Sequence, residues 1–379
     1  MQYTRIVEAC LIAAATSSVA IALLCRLAER LGLVDSPDQR KHHIGEVPLI
    51  GGLAVFAGVL AGAWWLRDGS TFTRVLVGST GLIALVGALD DRHSLSVRLR
   101  VLLQTVAILV VIFGTGVHVR TLGVLMGYPV NLGWAGIPFT VVAVIGLINA
   151  FNLMDGIDGL AGSLGLVSVL AMALTIDAAQ MGRPMMLMAL LAAGLVPFLA
   201  CNLGLVGRKI FLGDAGSMVL GYLIAWALIR QSQLPHSRLT PVGVLWCVAL
   251  PVLDTLAVMY RRLRARKSPF KPDRGHIHHI LMDAGLSPRA ALACLVGLAA
   301  AMAVLGELSR RFSHAASLEI FILMMAVYIF SINRAYWQMR SRLHDQFVAL
   351  SAANDPDPVT SATADVIPLK QYNRGTITD

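Results

Sequence analysis

Long apolar runs separated by short polar connections dominate this chain. About eleven of these runs approach the roughly 20 residues that cross a bilayer as a helix. They lie near residues 6–26, 48–66, 73–90, 99–115, 134–151, 159–176, 185–203, 214–230, 241–259, 288–306 and 316–333. Their even spacing leaves no room for separate soluble domains. The pattern therefore predicts an all-α, polytopic membrane helical bundle with about eleven transmembrane helices.

Composition agrees with this reading. The 379 residues are 56% hydrophobic and only 14% charged, with a mean hydropathy of +0.71. These values are typical of an integral membrane protein. We expect residues 1–335 to form one transmembrane catalytic domain with cytoplasmic active-site loops. Residues 336–379 are expected to form a largely disordered cytoplasmic tail, because the last part is polar and rich in Asp, Thr and Pro.

Positive charge predicts the orientation. More than two thirds of the 31 lysines and arginines fall in the connections on one side, and such residues favour the cytoplasm. The N-terminus is therefore predicted outside and the C-terminus inside. The net charge of +9 then reflects topology and a basic inner surface suited to phosphates or lipid head groups, not nucleic acid. The five cysteines show no metal-type spacing, and we expect no disulfides.

Polar clusters collect at the ends of these runs, all on the predicted cytoplasmic side. Charged side chains at membrane depth are expensive, so such clusters indicate function. The external connections carry no comparable set, which predicts one active site at the inner face. The candidate residues are Lys41, Asp90, Asp91, Asn149, Asn152, Asp155, Asp158, Phe211, Asp214, Arg274, His276, His278 and His279.

The acidic segment at residues 148–160 is the strongest of these signals. Asp155 and Asp158 are three residues apart and would share one face if the segment were helical. Carboxylates of this kind suit Mg²⁺, which proteins usually hold with one or two acids plus substrate phosphates. The alternative is a polar turn that caps a helix. Asp90 and Asp91 are adjacent, so each raises the proton affinity of the other unless a cation or base compensates.

The remaining motifs each allow two interpretations. Asp214, after a glycine, would suit a helix N-cap or a metal ligand. Phe211 could be a core residue or stack on a flat base. The histidines at 276–279 are too tightly spaced for a closed tetrahedral zinc site. In a basic connection they are better donors to a diphosphate, with one of them, His279, as acid or base.

Taken together, the motifs resemble the polyprenyl-phosphate N-acetylhexosamine-1-phosphate transferases of bacterial envelope synthesis, glycosyltransferase family 4. They occur in family order over residues 35–290. Ile277 interrupts the histidine run, which resembles the undecaprenyl-phosphate GlcNAc-1-phosphate transferase branch; the peptidoglycan branch carries three consecutive histidines. The matching motifs are VPLIGG at 47–52, Asp90-Asp91, NAFNLMDGIDGL at 149–160, FLGDAGS at 211–217, PVLDT at 251–255 and PDRGHIHH at 272–279.

This resemblance implies an enzyme of the bacterial cytoplasmic (inner) membrane with its active site on the cytoplasmic face. It would transfer GlcNAc-1-phosphate from UDP-GlcNAc to undecaprenyl phosphate and release UMP. The product, undecaprenyl-diphosphate-GlcNAc, would begin O-antigen, common-antigen or related polysaccharides. Mg²⁺ is the implied cofactor, with Mn²⁺ as a substitute. A homodimer in the lipid membrane is the expected assembly.

The resemblance also assigns roles. Asp214 is the first choice of Mg²⁺ ligand, helped by Asp91 and Asp155, and Asp90 deprotonates or positions the lipid phosphate. Asp158 would orient the nucleoside or metal, and Phe211 would stack on uracil. The groups that hold the donor by hydrogen bonds would be Lys41, Asn149, Asn152, Arg274, His276, His278 and His279. Direct attack by the lipid phosphate and a two-step route through an aspartyl-phosphate both stay open.

Other functions fit less well. Another UDP-N-acetylhexosamine or UDP-MurNAc-pentapeptide could replace UDP-GlcNAc as donor. An intramembrane prenyltransferase would need two Asp-rich motifs and would leave the histidines without a role. A lipid or sugar transporter would more naturally carry charges at the bilayer midplane between repeated halves, whereas these lie at one face and no repeat is evident.

Overall fold

The protein is almost entirely helical. A computed structural model describes residues 2–35, 45–176, 183–268 and 275–353. The helices are α1 (Gln2–Leu31), α2 (Gly51–Leu66), α3 (Thr71–His93), α4 (Val97–Thr115), α5 (Gly136–Met154), α6 (Leu160–Leu174), α7 (Arg183–Asn202), α8 (Gly213–Ser232), α9 (Pro241–Cys247), α10 (Ala249–Arg264), α11 (Ile277–Asp283), α12 (Pro288–Ser309) and α13 (His314–Ala353). Short strands form two antiparallel pairs: β1 (Val34–Asp35) pairs with β2 (Val47–Pro48), and β3 (Thr121–Leu125) pairs with β4 (Tyr128–Asn131).

Every predicted apolar run corresponds to helix, and the all-α polytopic fold is confirmed. Within the described residues, seven helices are long and apolar enough to span a membrane, or eight if α9 and α10, bent by 84°, form one broken span. Helices α2 and α6 are apolar but shorter, and α8 lies inside the bundle. The count of eleven spans and the orientation stay predictions. Helix α13 runs to Ala353, so helical structure extends into the segment assigned to the tail.

Local sequence fixes several helix starts. Ser70, Ser96 and Ser287 each accept the backbone N–H three residues further on, at the first turns of α3, α4 and α12. A hydroxyl at this position satisfies one of the donors that a helix start leaves unpaired. Pro241 and Pro288 follow the capping residues of α9 and α12, where a missing N–H costs nothing.

Helix α8 is the centre of the bundle. Nearly all of its residues are buried, and it packs against α2, α3, α5, α6 and α7. Three neighbouring helices approach α8 closely at glycines, two of them in the neighbour and one in α8. A Cβ at Gly52 of α2 would lie 2.1 Å from Gly216, one at Gly87 of α3 would lie 2.3 Å from Ala215, and one at Gly221 would lie 2.7 Å from Ile148 of α5. Small residues thus let these backbones meet, as in membrane bundles generally.

Helices α2 and α8 begin side by side because the segments before them pair. Leu49 and Phe211 form a parallel bridge. The N–H of Phe211 donates to the carbonyl of Pro48 at 2.8 Å, and the N–H groups of Gly51 and Gly52 donate to residues 211 and 212 at 2.9 Å. The VPLIGG motif therefore has a structural task, which is to fix the loop that enters α8.

Candidate active site

The ends of α3 and α5 meet the start of α8, and this junction collects the acidic motifs. Asp91, from α3, accepts the backbone N–H of Asp214 at 2.7 Å and that of Ala215 at 3.2 Å. It therefore caps the first turn of α8 from another helix, where a negative charge is favourable. Asp214 itself is not the N-cap, which is Leu212, so the capping interpretation of Asp214 is wrong.

Asp90, the neighbour of Asp91, is 6% exposed. Its carboxylate accepts the guanidinium N–H of Arg100 at 2.6 Å and the backbone N–H of Leu95 at 2.7 Å. Arg100 supplies the compensating charge that two adjacent carboxylates need. The carboxyl groups of Asp90 and Asp214 are close enough to interact. Asp90 thus lies at the same junction in a fixed orientation.

Asn152 joins α5 to α8. Its side-chain amide donates to the Asp214 carboxylate at 2.6 Å and to the Ser217 hydroxyl at 2.9 Å. The amide thereby orients Asp214, and Ser217 is a partner for which sequence analysis assigned no role. Asn149, one turn earlier, donates instead to the carbonyl of Ile145 in its own helix at 2.8 Å. The structure therefore brings Asn152, but not the Asn149 amide, to the acidic cluster.

Asp155 and Asp158 do not share a helix face. Helix α5 ends at Met154 and α6 begins at Leu160, so both acids lie in a turn, with Asp155 as the C-cap. Gly159 closes the turn at φ +79°, a left-handed conformation that glycine adopts freely. The helical arrangement considered from sequence is wrong, and the alternative, a polar turn at a helix end, describes the backbone.

The surroundings of the Asp155 carboxyl group disfavour its charged form. Part of Asp155 is exposed to solvent, but the surrounding protein displaces bulk water from the neighbourhood of its carboxyl group. This desolvation, followed by repulsion from Asp214, Asp91 and Asp158, raises the pKa of Asp155 to about 8. A bound cation would reverse the repulsive part of that effect. The turn therefore presents an acid that gains from a positively charged ligand.

Asp158 forms an ion pair with Lys209, at 2.5 Å. The Lys209 ammonium lies 5.3 Å from the ring centre of Phe211, which is half-buried. Asp158 and Lys209 line a cavity of about 440 Å³ together with the 202–204 and 287–292 segments. Phe211 thus lies next to Lys209, which lines a cavity large enough for a flat organic group.

Asn202 fixes the wall of this cavity. It is 4% exposed, and its side chain accepts the N–H of Gly159 at 2.5 Å and donates to the carbonyl of Ile210 at 2.8 Å. It therefore ties the acidic turn to the segment before α8. Sequence analysis gave no role to Asn202 or Arg100. Asn202 is a lone amide at a helix end and carries no pattern, whereas Arg100 is one of several basic residues after Asp90.

The histidine segment reaches the acidic turn from the other side. His276 is 3% exposed, with Nδ1 2.7 Å from the carboxylate of Asp254. His278 is 2% exposed, and a Cβ at Gly156 would lie 2.1 Å from its Nε2. Burial, followed by the neighbouring histidines, lowers the pKa of His278 to about 3, so it is a neutral ring. Only His279 is partly exposed.

A divalent cation fits the junction. No group of three His, Cys, Asp or Glu in the described residues forms a ready-made metal cage. Both Asp91 oxygens accept backbone N–H groups of α8 and each keeps a second lone pair, whereas Asp214 accepts from Asn152 through one oxygen, which makes Asp214 and Asp155 the first choice of acids for a cation. Two carboxylates completed by substrate phosphates is the arrangement in which proteins usually hold Mg²⁺. Lys41 and Arg274 lie outside the described residues.

The chain is similar to known proteins over most of its length. Residues 73–232 match the model of Glycosyl transferase family 4, the region that contains α3 to α8. The undecaprenyl-phosphate alpha-N-acetylglucosaminyl 1-phosphate transferase of Yersinia pestis is 39% identical over 82% of this chain and 87% of its own length. Proteins of the same name from Salmonella typhi and Escherichia coli K12 are each 38% identical, over 84% and 82% of this chain and 89% and 86% of their own lengths.

An acidic cluster at the common end of apolar helices defines the class, a membrane-embedded phosphoglycosyltransferase. The chain belongs to glycosyl transferase family 4, since similarity at this level covers most of its length and most of each relative. Enzymes of this class generally use a divalent metal ion. The resemblance noted from the motifs is confirmed.

Proposed function

We propose that this protein transfers GlcNAc-1-phosphate from UDP-GlcNAc to undecaprenyl phosphate, with release of UMP. The observation that carries the proposal is the junction of α3, α5 and α8, where Asp90, Asp91, Asn152 and Asp214 contact one another. The relatives with this name are 38–39% identical to this chain over 82% of its length. The multi-pass fold suits an acceptor that is itself a membrane lipid.

The nucleoside is assigned to the cavity beside Asp158 and Lys209. Phe211, half-buried beneath Lys209, would offer its ring to uracil, since bases stack on aromatic side chains. The Asp158 carboxylate is fixed by Lys209 at 2.5 Å and would accept hydrogen bonds from the ribose or base. The diphosphate would then extend toward Asp155 in the same turn and toward Asp214 in the first turn of α8.

Mg²⁺ is the proposed ion, with Mn²⁺ as a substitute. Asp214 and Asp155 would hold it, and Asn152 would keep Asp214 in orientation. When bound, the ion neutralises charge on the diphosphate and on the departing UMP. Asp91 serves this site indirectly, because its hydrogen bonds to α8 place Asp214.

Direct transfer is favoured over a covalent enzyme intermediate. An oxygen of the lipid phosphate attacks the β-phosphorus, and the bond from that phosphorus to the bridging oxygen breaks. The bonding electron pair leaves with UMP. Both oxygens of Asp90 and both of Asp91 already accept hydrogen bonds from the protein, which makes them poor nucleophiles. Asp90, held beside Arg100, would position the acceptor phosphate or take its proton.

The active site is assigned to the cytoplasmic face of a bacterial inner membrane. Most lysines and arginines are predicted on the same side as the acidic motifs, which supports that orientation, and the relatives named above come from bacteria. A homodimer is proposed from the family alone. The product would begin a lipid-linked envelope polysaccharide such as O-antigen or common antigen.

A transfer assay tests the proposal. Purified protein in detergent is mixed with undecaprenyl phosphate, Mg²⁺ and one donor at a time, and UMP and the lipid product are measured. UDP-GlcNAc is expected to give both products in equal amounts. UDP-GalNAc and UDP-MurNAc-pentapeptide serve as competing donors, and chelation with EDTA should stop the reaction until Mg²⁺ or Mn²⁺ is restored.

Each competing account has its own outcome in this assay. A higher rate with either competing donor would replace UDP-GlcNAc in the proposal. Unchanged turnover in EDTA would remove the metal ion from it. Binding of UDP-GlcNAc without UMP release under any condition would favour a transporter and contradict the enzymatic function.

A further inference from the structure

The side chain of Asp254 lies at the centre of a buried hydrogen-bond network behind the histidine segment. It is fully buried in α10. One oxygen lies 2.7 Å from Nδ1 of His276. The other accepts the backbone N–H of Ile277 at 3.0 Å and the hydroxyl of Tyr328, on α13, at 3.2 Å. A buried carboxylate is tolerated only when its oxygens are satisfied in this way.

This network fixes two properties of the segment. A carboxylate accepts hydrogen bonds, so it favours the form of His276 that carries a proton on Nδ1 and turns Nε2 away from Asp254. It also satisfies the first N–H of α11, a seven-residue helix whose N-cap, His276, provides no side-chain cap. Both the ring and the helix start are therefore set by one residue of another helix.

The orientation of His276 extends to the acidic turn through the neighbouring rings. The rings of His276 and His278 are parallel, at 7° and 5.9 Å, and His278 contacts His279 at 4.2 Å. His278 in turn packs against Gly156, next to Asp155. A rotation of His276 would therefore displace the groups that border the site.

We propose that Asp254 and Tyr328 are positioning residues that set the tautomer of His276 and the start of α11, and so hold the histidine segment against the Asp155–Asp158 turn. The proposal rests on the proposed function in one respect, the placement of this segment at the reacting groups. Asp254 acts through His276, and Tyr328 acts through Asp254.

Asp254→Asn is the sharpest variant because it keeps the shape and changes one atom. The side-chain oxygen of an asparagine can accept a hydrogen bond from the Ile277 N–H or from His276. Its NH₂ group, which cannot accept, then faces whichever of these two donors is left. With the Ile277 bond retained, His276 must move its proton to Nε2. We expect kcat to fall about 10- to 100-fold, by analogy with the carboxylates that orient metal-binding histidines. KM for UDP-GlcNAc should change less than about threefold, since the buried carboxylate cannot contact the sugar nucleotide.

Tyr328→Phe removes only one of the three hydrogen bonds to Asp254, so a smaller loss of kcat is expected. Tyr222→Phe is the matched control. Tyr222 is also fully buried, and its hydroxyl contacts the Ser79 hydroxyl at 2.9 Å and the Ala107 carbonyl at 3.0 Å, remote from the histidines. It should keep the kcat of the parent. An equal loss in both variants would overturn the role of Tyr328.

The tautomer is read directly by ¹⁵N nuclear magnetic resonance of histidine-labelled full-length protein, with the His276 signals assigned from His276→Gln. The parent should show a proton on Nδ1 of His276, and Asp254→Asn should show it on Nε2. The double variant Asp254→Asn/His276→Gln should be no less active than His276→Gln alone. A parent-like tautomer in Asp254→Asn, or a further loss in the double variant, would overturn the proposal.

The assay also separates this proposal from the proposed function. If His276→Gln were fully active while Asp254→Asn still changed the tautomer, the network would be supported. In that case the histidine segment would lie outside the working site, and the role in donor binding that the family resemblance implies for His276 would be wrong.

Discussion

Asp91 and Asp214 lie together because one caps the helix that carries the other. The motif DD at 90–91 predicted a site but not this division of labour, in which Asp90 pairs with Arg100 and Asp91 holds α8. Capping from a distant helix leaves no local pattern, since the partners are more than 120 residues apart. Sequence analysis therefore predicted a site at these residues, whereas the contacts show how each of them is held.

Phe211 offers a test of nucleoside binding. Stacking on an aromatic ring is worth about 1–3 kcal/mol. Phe211→Ala should therefore raise KM for UDP-GlcNAc about 5- to 150-fold and weaken inhibition by UMP in parallel, with little change in KM for undecaprenyl phosphate. Phe139→Ala, an exposed aromatic in the first turn of α5, is the control. A rise in KM for undecaprenyl phosphate, with KM for UDP-GlcNAc unchanged, would place Phe211 in the lipid groove.

His278 predicts a pH dependence of stability. Its pKa is about 3 in the folded protein and 6.5 as a model value, so the unfolded chain binds the proton more tightly. The contribution of His278 to the free energy of unfolding is therefore fully present above pH 6.5. It falls as the pH decreases toward 3, by about 2 kcal/mol at pH 5. Thermal unfolding at pH 7.5 and 5.0 should show a smaller decrease for His278→Gln than for the parent. Equal decreases would show that other groups dominate.

At the scale of elements, the apolar runs predicted the helices because burial in lipid requires a continuous hydrophobic surface. The break between α9 and α10 and the short helix α11 were not predicted. Periodicity carries no signal for an 84° bend inside an apolar run. The pairing of Leu49 with Phe211 was also missed, since a single bridge between loops leaves no alternation of polar and apolar residues.

Gly87 provides an element-level prediction with a matched control in the same helix. A Cβ at Gly87 would lie 2.3 Å from the Cα of Ala215, whereas one at Gly78 would meet nothing within 4 Å. Gly87→Ala should therefore push α3 from the start of α8, destabilise the protein by roughly 1–3 kcal/mol and lower kcat by displacing Asp214.

Gly78→Ala should be neutral or stabilise the helix by up to about 1 kcal/mol. Thermal unfolding and kcat of Gly87→Ala and Gly78→Ala, measured side by side, test whether the close contact at Gly87 positions Asp214. Similar behaviour of both would show that the contact between α3 and α8 is adaptable and does not position Asp214.

At the scale of the whole molecule, orientation is the main property that the charge pattern predicts and the contacts leave open. Single cysteines in a cysteine-free background test it in intact cells with an impermeant thiol reagent. Val206→Cys, in an exposed connection beside the site, should be protected, and Met126→Cys, in the β3–β4 turn, should react. The reverse pattern would place the active site outside.

Asp214→Asn measures the central claim most directly, that the junction of α3, α5 and α8 carries the transfer. An amide keeps the shape of the side chain but removes its charge. A loss of several kcal/mol of charge stabilisation corresponds to a fall in kcat of about 100-fold or more. Asp68→Asn, at the opposite end of α3, where Asp68 contacts Ser70 and Thr73, is the control.

The measurement is UMP release by the parent, Asp214→Asn and Asp68→Asn in the same vesicles, with folding checked by thermal unfolding. The account predicts a folded Asp214→Asn with at least about 100-fold lower kcat and an Asp68→Asn close to the parent. A folded Asp214→Asn that releases UMP within a few-fold of the parent rate would contradict it.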